Sequence, residues 1–409
     1  MEGILGIISE YNPFHNGHLH HLELSKQITK TSFSVAVMSG NFIQRGDTSI
    51  VDKWTKAEMA LKNGIDLVLE LPTVYATSSA ENFADGAIKI LNSLGVVDYV
   101  SFGSEIGEIT PMNDIAEILY NEPKELSNLI KSQLRSGLSY PKAREIAVSQ
   151  FFGSSMKYTD ILTNPNNILG VEYLKALKRQ KSNITPLTIK RDYSDYNSKK
   201  EKKGIASATA IRTMIKNNKN VHYVVPLETY ELLDNCIKQE KIVKDLSVFE
   251  RQIIYKLRQM SLDEIRKLPD VSEGLENKIK FACLATNSLD ELIEEVKSKR
   301  YTQSRIQRIL LYALLNITEK DMINSKKTTP YVRVLGFNKH GKRIISAIAA
   351  SNPKLNIIVS VKKFMNSSGN TAQKAMLEKD ILATNIYTLG YKYDSIGNLD
   401  YTKKVIEIK

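Results

Sequence analysis

Hydrophobic and polar positions in the first 105 residues alternate in the way expected of strands joined by helices. Short apolar runs bounded by polar or turn residues predict strands over 4–9, 33–39, 65–71 and 97–102. Helical spacing of apolar residues separates these runs, with one helix near Gly17, one between Asp52 and Gly64, and one over 78–94. This order predicts an α/β fold with a doubly wound parallel sheet.

The later part of the chain is mainly helical. Helices are predicted over 112–120, 124–136, 141–152 and 207–215, and a fifth strand over 185–190. Amphipathic helices then follow one another from Pro226 to about residue 325, and strand-like runs return at 331–335 and 356–361. We therefore expect three domains: an α/β domain over 1–220, a helical domain over 221–325 and a small α/β domain over 326–409.

The composition is that of a globular protein, with 42% hydrophobic residues among 409. No apolar run reaches the length of about 18 residues that a membrane span needs, and the N-terminus lacks the features of a signal peptide. The two cysteines, Cys236 and Cys283, have no metal-ligand spacing. These features predict a cytoplasmic protein that does not associate with a membrane.

The net charge of +12 is unevenly distributed. Residues 175–219 include 13 Lys and Arg but only three Asp and Glu, so this segment alone carries +10. Concentrated positive charge is typical of a nucleic-acid contact. A solvated basic loop is the alternative.

Residues 9–18 join the first predicted strand to the first helix and read Ser-Glu-Tyr-Asn-Pro-Phe-His-Asn-Gly-His. Ligands of open parallel sheets bind beyond the carboxyl ends of the strands, and the amino end of a helix offers N–H groups to phosphate. His15 and His18 lie at this point, beside Gly17, where the backbone can approach a ligand closely. Imidazoles placed here can donate hydrogen bonds to phosphate oxygens as charge develops on them.

The histidines have two alternative roles. His15, His18, His20 and His21 fall within seven residues, a density that would suit a metal site, although no carboxylate or cysteine completes a ligand set nearby. They could instead be ordinary surface residues of a helix, and for His20 and His21 we expect this.

Two further segments are predicted to meet the histidines. In residues 205–212, Ser207 and Thr209 can cap a helix and bind phosphate oxygens, while Arg212 can hold a triphosphate; a simple capped helix is the alternative. Gly103 lies where the fourth strand ends, and in a doubly wound sheet strands one and four flank the switch point. A tight turn would also account for this glycine.

These motifs resemble the HxGH and SxTxIR signatures of the nucleotidyltransferase superfamily. Five segments spread over most of the chain resemble, more closely, the bacterial tRNA(Met) cytidine acetate ligase family: EYNPFHNGH (10–18), MSGNFIQRGD (38–47), PNNILG (165–170), IASATAIR (205–212) and YTQSRIQ (301–307). The resemblance implies a HUP-like, ATP-binding catalytic domain. It also implies that the enzyme joins acetate to ATP as acetyl-adenylate and then acetylates N4 of the wobble cytidine, position 34, of elongator tRNA(Met). The helical domain is expected to contact the tRNA.

The resemblance also implies site residues. His15, His18 and Arg212 are the implied catalytic residues. The implied nucleotide contacts, with Ser207 and Thr209 added from the phosphate motif, are Ile7, Ile8, Ser9, Glu10, Tyr11, Asn12, Pro13, Phe14, His15, Asn16, Gly17, His18, Leu19, His20, Gly103, Asn167, Arg191, Ser207 and Thr209. Asn166 or Asn167 could equally cap a helix after Pro165. The family usually has a glycine-rich stretch after the arginine at 191, whereas this chain continues with Asp192-Tyr193-Ser194-Asp195-Tyr196.

The acid pocket and the metal requirement are less defined. Gln44 and Arg45, after the second strand, are expected to face the acid. No carboxylate cluster marks a magnesium site, although ATP usually brings Mg²⁺ with it.

Two other classes of protein fit the motifs in part. One is a cofactor-type nucleotidyltransferase, which is usually much shorter. The other is a non-catalytic RNA-binding protein, against which the intact His15, His18 and Arg212 argue.

Overall fold

A computed structural model describes residues 3–155, 157–191, 204–272 and 274–409. Its strands are β1 Ile4–Ser9, β2 Phe33–Ser39, β3 Phe42–Ile43, β4 Asp47–Thr48, β5 Leu67–Leu71, β6 Tyr99–Ser104, β7 Thr185–Lys190, β8 Tyr331–Phe337, β9 Asn356–Ile358 and β10 Ile406–Glu407. The main sheet has the order β10-β8-β5-β2-β1-β6-β7, with β9 paired to β8. β3 and β4 form a separate hairpin.

The doubly wound parallel sheet is confirmed. β5, β2, β1, β6 and β7 are parallel neighbours, so the first and fourth predicted strands lie side by side. Along β1, Ile4 and Ile8 belong to one hydrophobic core, while Leu5 and Ile7 belong to a second. A strand that is buried on both faces in this way is typical of a parallel sheet covered by helices.

Helices surround the sheet and fill the middle of the chain. They are α1 Asn16–Thr29, α2 Lys53–Lys62, α3 Thr73–Ala76, α4 Ala80–Ser93, α5 Ile109–Asn121, α6 Lys124–Arg135, α7 Tyr140–Phe151, α8 Pro165–Arg179, α9 Ala208–Lys216, α10 Leu227–Lys238, α11 Glu250–Gln259, α12 Leu262–Arg266, α13 Leu275–Ala285, α14 Leu289–Val296, α15 Gln303–Leu314, α16 Glu319–Lys327, α17 Lys339–Ser351, α18 Val361–Asn366, α19 Thr371–Tyr387 and α20 Leu399–Thr402. Short 3₁₀ turns occur at Ile161–Thr163, Leu246–Phe249 and Thr388–Gly390. Within the described ranges, no helix is both long and apolar enough to cross a membrane.

Helix caps and hydrophobic periodicity predicted the ends of most helices and strands to within a few residues. Asp52 caps α2, because its carboxylate accepts a hydrogen bond from the Thr55 N–H at 2.8 Å. The third strand begins at Leu67 rather than at residue 65, and the fourth ends at Ser104 rather than at 102. The β3–β4 hairpin was not predicted, because strands of two residues leave no periodic pattern.

The last part of the chain does not build a sheet of its own. β8 runs antiparallel to β5, with Leu67 opposite Phe337, and β9 and β10 pair with β8. Without β8, the edge of β5 would leave unpaired N–H and C=O groups. The segment 326–409 thus extends the sheet of the first segment, and the boundaries near 220 and 326 stay a prediction.

Four buried charges fasten this segment to the sheet. The Lys53 ammonium, at the start of α2, lies 2.9 Å from Glu70 Oε1 and 2.8 Å from Asp400 Oδ1. Arg333, in β8, lies 2.9 Å from Glu70 Oε2 and also contacts Asp400. The two cations and the two carboxylates therefore neutralise each other in a buried environment. Removing one of the four leaves an uncompensated buried charge.

The Asp400→Asn variant should therefore be strongly destabilised. We expect a loss of about 3–5 kcal/mol in the free energy of unfolding, the usual cost of breaking a buried ion pair from one side. Urea denaturation followed by circular dichroism measures it. The control is Asp234→Asn, which removes an exposed pair between Asp234 and Lys238 on α10 and should leave the midpoint unchanged. Equal midpoints for the two variants would contradict the role of the network.

Candidate active site

The two motif histidines lie where β1 runs into α1 and hydrogen-bond to the start of that helix. His15 immediately precedes α1, and its Nδ1 accepts a hydrogen bond from the Gly17 N–H at 3.1 Å. The His15 N–H in turn donates to Nδ1 of His18 at 3.3 Å. The two rings stack, with centroids 3.7 Å apart and planes 22° from parallel. Because each Nδ1 accepts a hydrogen bond, each neutral ring carries its proton on Nε2.

Burial keeps both imidazoles neutral. It lowers the pKa of His15 to about 3, and the nearby charges of Arg191 and Arg212 act in the same direction. It also lowers the pKa of His18 well below its usual value, helped by His15 and Arg191. At neutral pH the pair therefore offers uncharged N–H donors, and the positive charge beside it comes from the two arginines.

The start of α1 is held against the segments on either side of α9. The Asn16 N–H donates to Val224 O at 3.2 Å, and its side-chain amide donates to Gly204 O at 2.7 Å. A Cβ atom at Gly17 would lie only 3.0 Å from Cε1 of His15, so this position needs glycine because the ring folds back over the backbone. Ile205 lies on the same side of Gly17, which brings the second motif next to the first.

The second motif is both a capped helix and a contact to the first. Ser207 caps α9, since its Oγ accepts a hydrogen bond from the Ala210 N–H at 3.2 Å. The Arg212 guanidinium donates to Asn12 O at 2.9 Å and to Thr209 Oγ1 at 3.2 Å. The predicted cap is therefore present. In addition, Arg212 reaches the loop that leads from β1 to His15.

The third part of the site comes from β6 and the residue after β7. The Arg191 N–H donates to Ser104 O at 2.8 Å, and its side chain passes over Gly103. A Cβ atom at Gly103 would lie 3.0 Å from Cγ of Arg191, so the glycine makes room for the arginine. The Arg191 charge adds to the effect of burial in lowering the pKa values of His15 and His18, so this arginine acts electrostatically on the histidine pair.

Asn167 braces the loop after β6. Its Oδ1 accepts hydrogen bonds from the N–H groups of Glu105, at 2.8 Å, and Ile106, at 3.2 Å. The Glu105 carboxylate accepts in return from the Asn167 N–H at 2.9 Å. The residue that precedes α8 is Asn164, so the alternative in which Asn166 or Asn167 caps this helix is wrong.

The other residues predicted in 7–20 differ in accessibility. Those of the strand and the turn are largely enclosed: Ile7, Ile8, Tyr11, Asn12, Pro13 and Phe14 are buried, and Ser9, Glu10, Asn16 and Leu19 are half-buried. The rings of Tyr11 and Phe14 pack against His18, with centroids 4.9 and 5.6 Å away. The aromatic members therefore enclose the imidazole pair and exclude water from one side of it.

His20 and His21 differ from each other. His20 is exposed, as predicted. His21 is half-buried, and its Nε2 lies 3.0 Å from Oγ of Ser101 in β6, so the prediction of a surface residue is wrong for His21. Burial lowers the pKa of His21 to about 4. In the part of the chain that the structure describes, no group of three or more His, Cys, Asp or Glu is arranged to hold a metal ion.

Lys56 is a structural part of the site that the sequence reasoning missed. Its ammonium donates to three carbonyl oxygens at the ends of β1 and β2: Glu10 O at 3.0 Å, Ser39 O at 2.8 Å and Gly40 O at 2.7 Å. Burial lowers the pKa of Lys56 to about 7. The available signal was its position on α2, in register with the buried residues Lys53, Ala57 and Ala60.

Two further sequence predictions concern Gln44 and Arg45, which were expected to face the acid, and the segment that follows Arg191. The Gln44 N–H donates to Glu10 Oε1 at 3.0 Å and its side-chain amide to Ser78 O at 3.1 Å, whereas Arg45 is exposed. The basic segment 175–219 includes the run Lys199-Lys200-Glu201-Lys202-Lys203. This run and the departure from the family pattern at 192–196 both fall within 192–203, outside the described residues.

Comparison with known proteins places the chain among relatives of similar length. The family model of the HIGH Nucleotidyl Transferase matches residues 1–400. A tRNA(Met) cytidine acetate ligase of Thermoanaerobacter sp. (strain X514) is 48% identical, covering 99% of this chain and all of the relative. One of Acetivibrio thermocellus is 41% identical, covering 98% and 99%.

Two solved structures of Thermotoga maritima TmcAL are similar over 99% of both chains. The apo form has a TM-score of 0.93 at 33% identity. The form bound with alpha-thio ATP has a TM-score of 0.90 at 34% identity. The chain therefore belongs to the HIGH nucleotidyl transferase family and, within it, to the family of the relatives named tRNA(Met) cytidine acetate ligase.

Proposed function

We propose that this protein is an ATP-dependent ligase that activates acetate as acetyl-adenylate. It then transfers the acetyl group to N4 of the wobble cytidine of elongator tRNA(Met), forming N4-acetylcytidine. The observation that carries the proposal is the stacked, neutral pair His15 and His18 at the carboxyl end of a parallel sheet, with the charge of Arg191 acting on both rings and that of Arg212 on His15. Full-length relatives named for this activity, and a relative bound with alpha-thio ATP, support it.

In the first step, a carboxylate oxygen of acetate attacks the α-phosphorus of ATP and the bond to the β-phosphate oxygen breaks, so that pyrophosphate leaves. Such a displacement depends on positioning and on stabilisation of developing charge. The Nε2–H groups of His15 and His18 donate to the oxygens of the transferring phosphoryl group. Arg212, fixed by Asn12 and Thr209, stabilises the departing pyrophosphate.

In the second step, the exocyclic amine of cytidine attacks the acetyl carbon of the mixed anhydride. AMP leaves and the amine loses one proton. Because this amine is a poor nucleophile, the acyl group has to be activated first. Neutral histidines suit both steps, since they donate hydrogen bonds without adding charge that would hold the AMP product.

The proposed nucleotide contacts run from Ile7 to His20 and continue at Gly103, Asn167, Arg191, Ser207 and Thr209. The close approach of Arg191 to Gly103 and of His15 to Gly17 supports this set, because both glycines let a predicted site side chain lie directly against the backbone. ATP usually brings Mg²⁺ with it, and such an ion would be held mainly by the phosphate oxygens of the substrate and by water. The tRNA substrate implies that the protein acts in the cytoplasm.

Replacement of His18 by alanine should retain the fold and lose adenylate formation. Removing one donor from a site where charge develops typically lowers the rate by about 10²–10³. Acetate-dependent pyrophosphate exchange into ATP measures the step. The control is His340→Ala, because His340 lies beside Phe33 at the opposite end of the sheet. Exchange by the His18 variant within about threefold of the unmodified protein would contradict the assigned role.

Acetate should support this exchange, whereas amino acids and pantoate should not. The motifs and relatives point to acetate, and the positive charges of Arg191 and Arg212 that act on the histidine pair favour a carboxylate over an ammonium group. The assay compares initial exchange rates over a panel of small acids, with and without tRNA. Faster exchange with an amino acid than with acetate would overturn the proposed substrate.

A further inference from the structure

The net positive charge of this chain comes from two segments, 175–219 and 326–409. Residues 326–409 contain 15 Lys and Arg and five Asp and Glu, a net charge of +10, which equals that of 175–219. The helical segment 221–325 contains 16 Lys and Arg and 17 Asp and Glu, a net charge of −1, and residues 1–174 carry −7. A polyanion is therefore attracted to the C-terminal segment rather than to the helical one.

Part of this charge is gathered on one surface, the α18–α20 patch, which consists of Lys362, Lys363, Lys403 and Lys404. The first two lie in α18 and the other two directly follow α20, and these helices pack against each other. All four lysines are exposed. Asp400, in α20, is buried in its contacts with Lys53 and Arg333, so it is turned away from the patch.

The patch borders the end of the sheet where the active site lies. Nζ of Lys403 is 5.9 Å from the ring centroid of Trp54, in the first turn of α2. In the same helix, Lys56 binds the carbonyl groups at the carboxyl ends of β1 and β2. The patch is therefore next to the strand ends that carry the loop of His15 and His18.

A second basic cluster of the same segment lies at the opposite end. Lys339, Lys342 and Arg343 are exposed in the first turns of α17. The Arg343 guanidinium lies 5.1 Å from the ring centroid of Phe33, the first residue of β2. This α17 cluster therefore faces away from the active site and gives a natural comparison for the patch.

We propose that the α18–α20 patch binds phosphates of the tRNA, and that the segment 326–409 supplies more of the affinity for tRNA than the helical segment 221–325. This proposal rests on the proposed function, which provides the polyanion. Lysine contacts to phosphate supply affinity and position the RNA without reading its bases. The patch thus holds the substrate while the wobble base enters the site, and the expected contact in 221–325 becomes secondary.

The test compares two fourfold variants of the full chain in binding to transcribed elongator tRNA(Met) over a range of salt concentrations. The patch variant changes Lys362, Lys363, Lys403 and Lys404 to alanine. Each phosphate contact contributes about 0.7–0.9 to the slope of log affinity against log salt, so four lost contacts flatten it by about 3. The affinity at low salt should fall at least about tenfold.

The matched control removes the same charge from the opposite end of the sheet, by changing the α17 cluster and Lys30, which is exposed between α1 and the start of β2, to alanine. We expect its affinity and salt slope to stay close to those of the unmodified protein. Equal losses in both variants, or an unchanged slope in the patch variant, would overturn the proposal. A third variant changes Lys244, Lys267, Lys299 and Lys320 of the helical segment to alanine. A greater loss of tRNA affinity in this variant than in the patch variant would show that the helical segment makes the main contact.

Acetate-dependent pyrophosphate exchange separates this proposal from the proposed function. The patch variant should retain the exchange rate of the unmodified protein, because the small substrates bind at the strand ends. Absence of exchange in the unmodified protein, together with tRNA binding that depends on the patch, would contradict the proposed chemistry. The α18–α20 patch would still be a tRNA-binding surface. Normal exchange with patch-independent tRNA binding would contradict the surface alone.

Discussion

Two hydrogen bonds at the start of α1 determine the character of the site. The N–H groups of Gly17 and His15 each donate to an imidazole Nδ1, so the amino end of the helix is satisfied by the same rings that we propose to bind the phosphates of ATP. This fixes the rotation of both rings and the nitrogen that carries the proton. The glycine at 17 fits the same arrangement, because a Cβ atom there would lie only 3.0 Å from Cε1 of His15.

The rest of the structure places charge around this neutral pair. Arg212 is carried by α9, and its guanidinium donates to Asn12 O in the loop after β1. Arg191 directly follows β7, and its backbone N–H donates to Ser104 O at the end of β6. Lys56 links the carboxyl ends of β1 and β2, because its ammonium donates hydrogen bonds to carbonyl oxygens of both. The C-terminal strands then close the edge of β5, so the residues that surround the site belong to parts of the sequence far apart.

The sequence predicted the elements whose signals are local. The strands of the doubly wound sheet, the cap at Asp52, the helix after Ser207 and the pairing of the first with the fourth predicted strand all follow from periodicity, motifs and the known order of such sheets. The pairing of β8 with β5 could not be predicted, because contact between distant strands leaves no trace in local patterns. Lys53, Lys56 and Asn167 were missed as buried groups because polar residues are usually exposed, and only their partners explain their burial.

The central claim is that His15 and His18 are neutral and protonated on Nε2 in the folded protein. Long-range ¹H–¹⁵N correlation spectra of the protein with ¹⁵N-labelled histidine report both the charge and the tautomer of each ring, with His18→Ala and His15→Ala samples providing the assignment. We expect the Nε2–H tautomer for both rings at pH 7, because burial lowers the pKa of His15 to about 3 and that of His18 well below its ordinary value. An Nδ1–H tautomer, or a ring that titrates near the ordinary value of about 6.5, would contradict it.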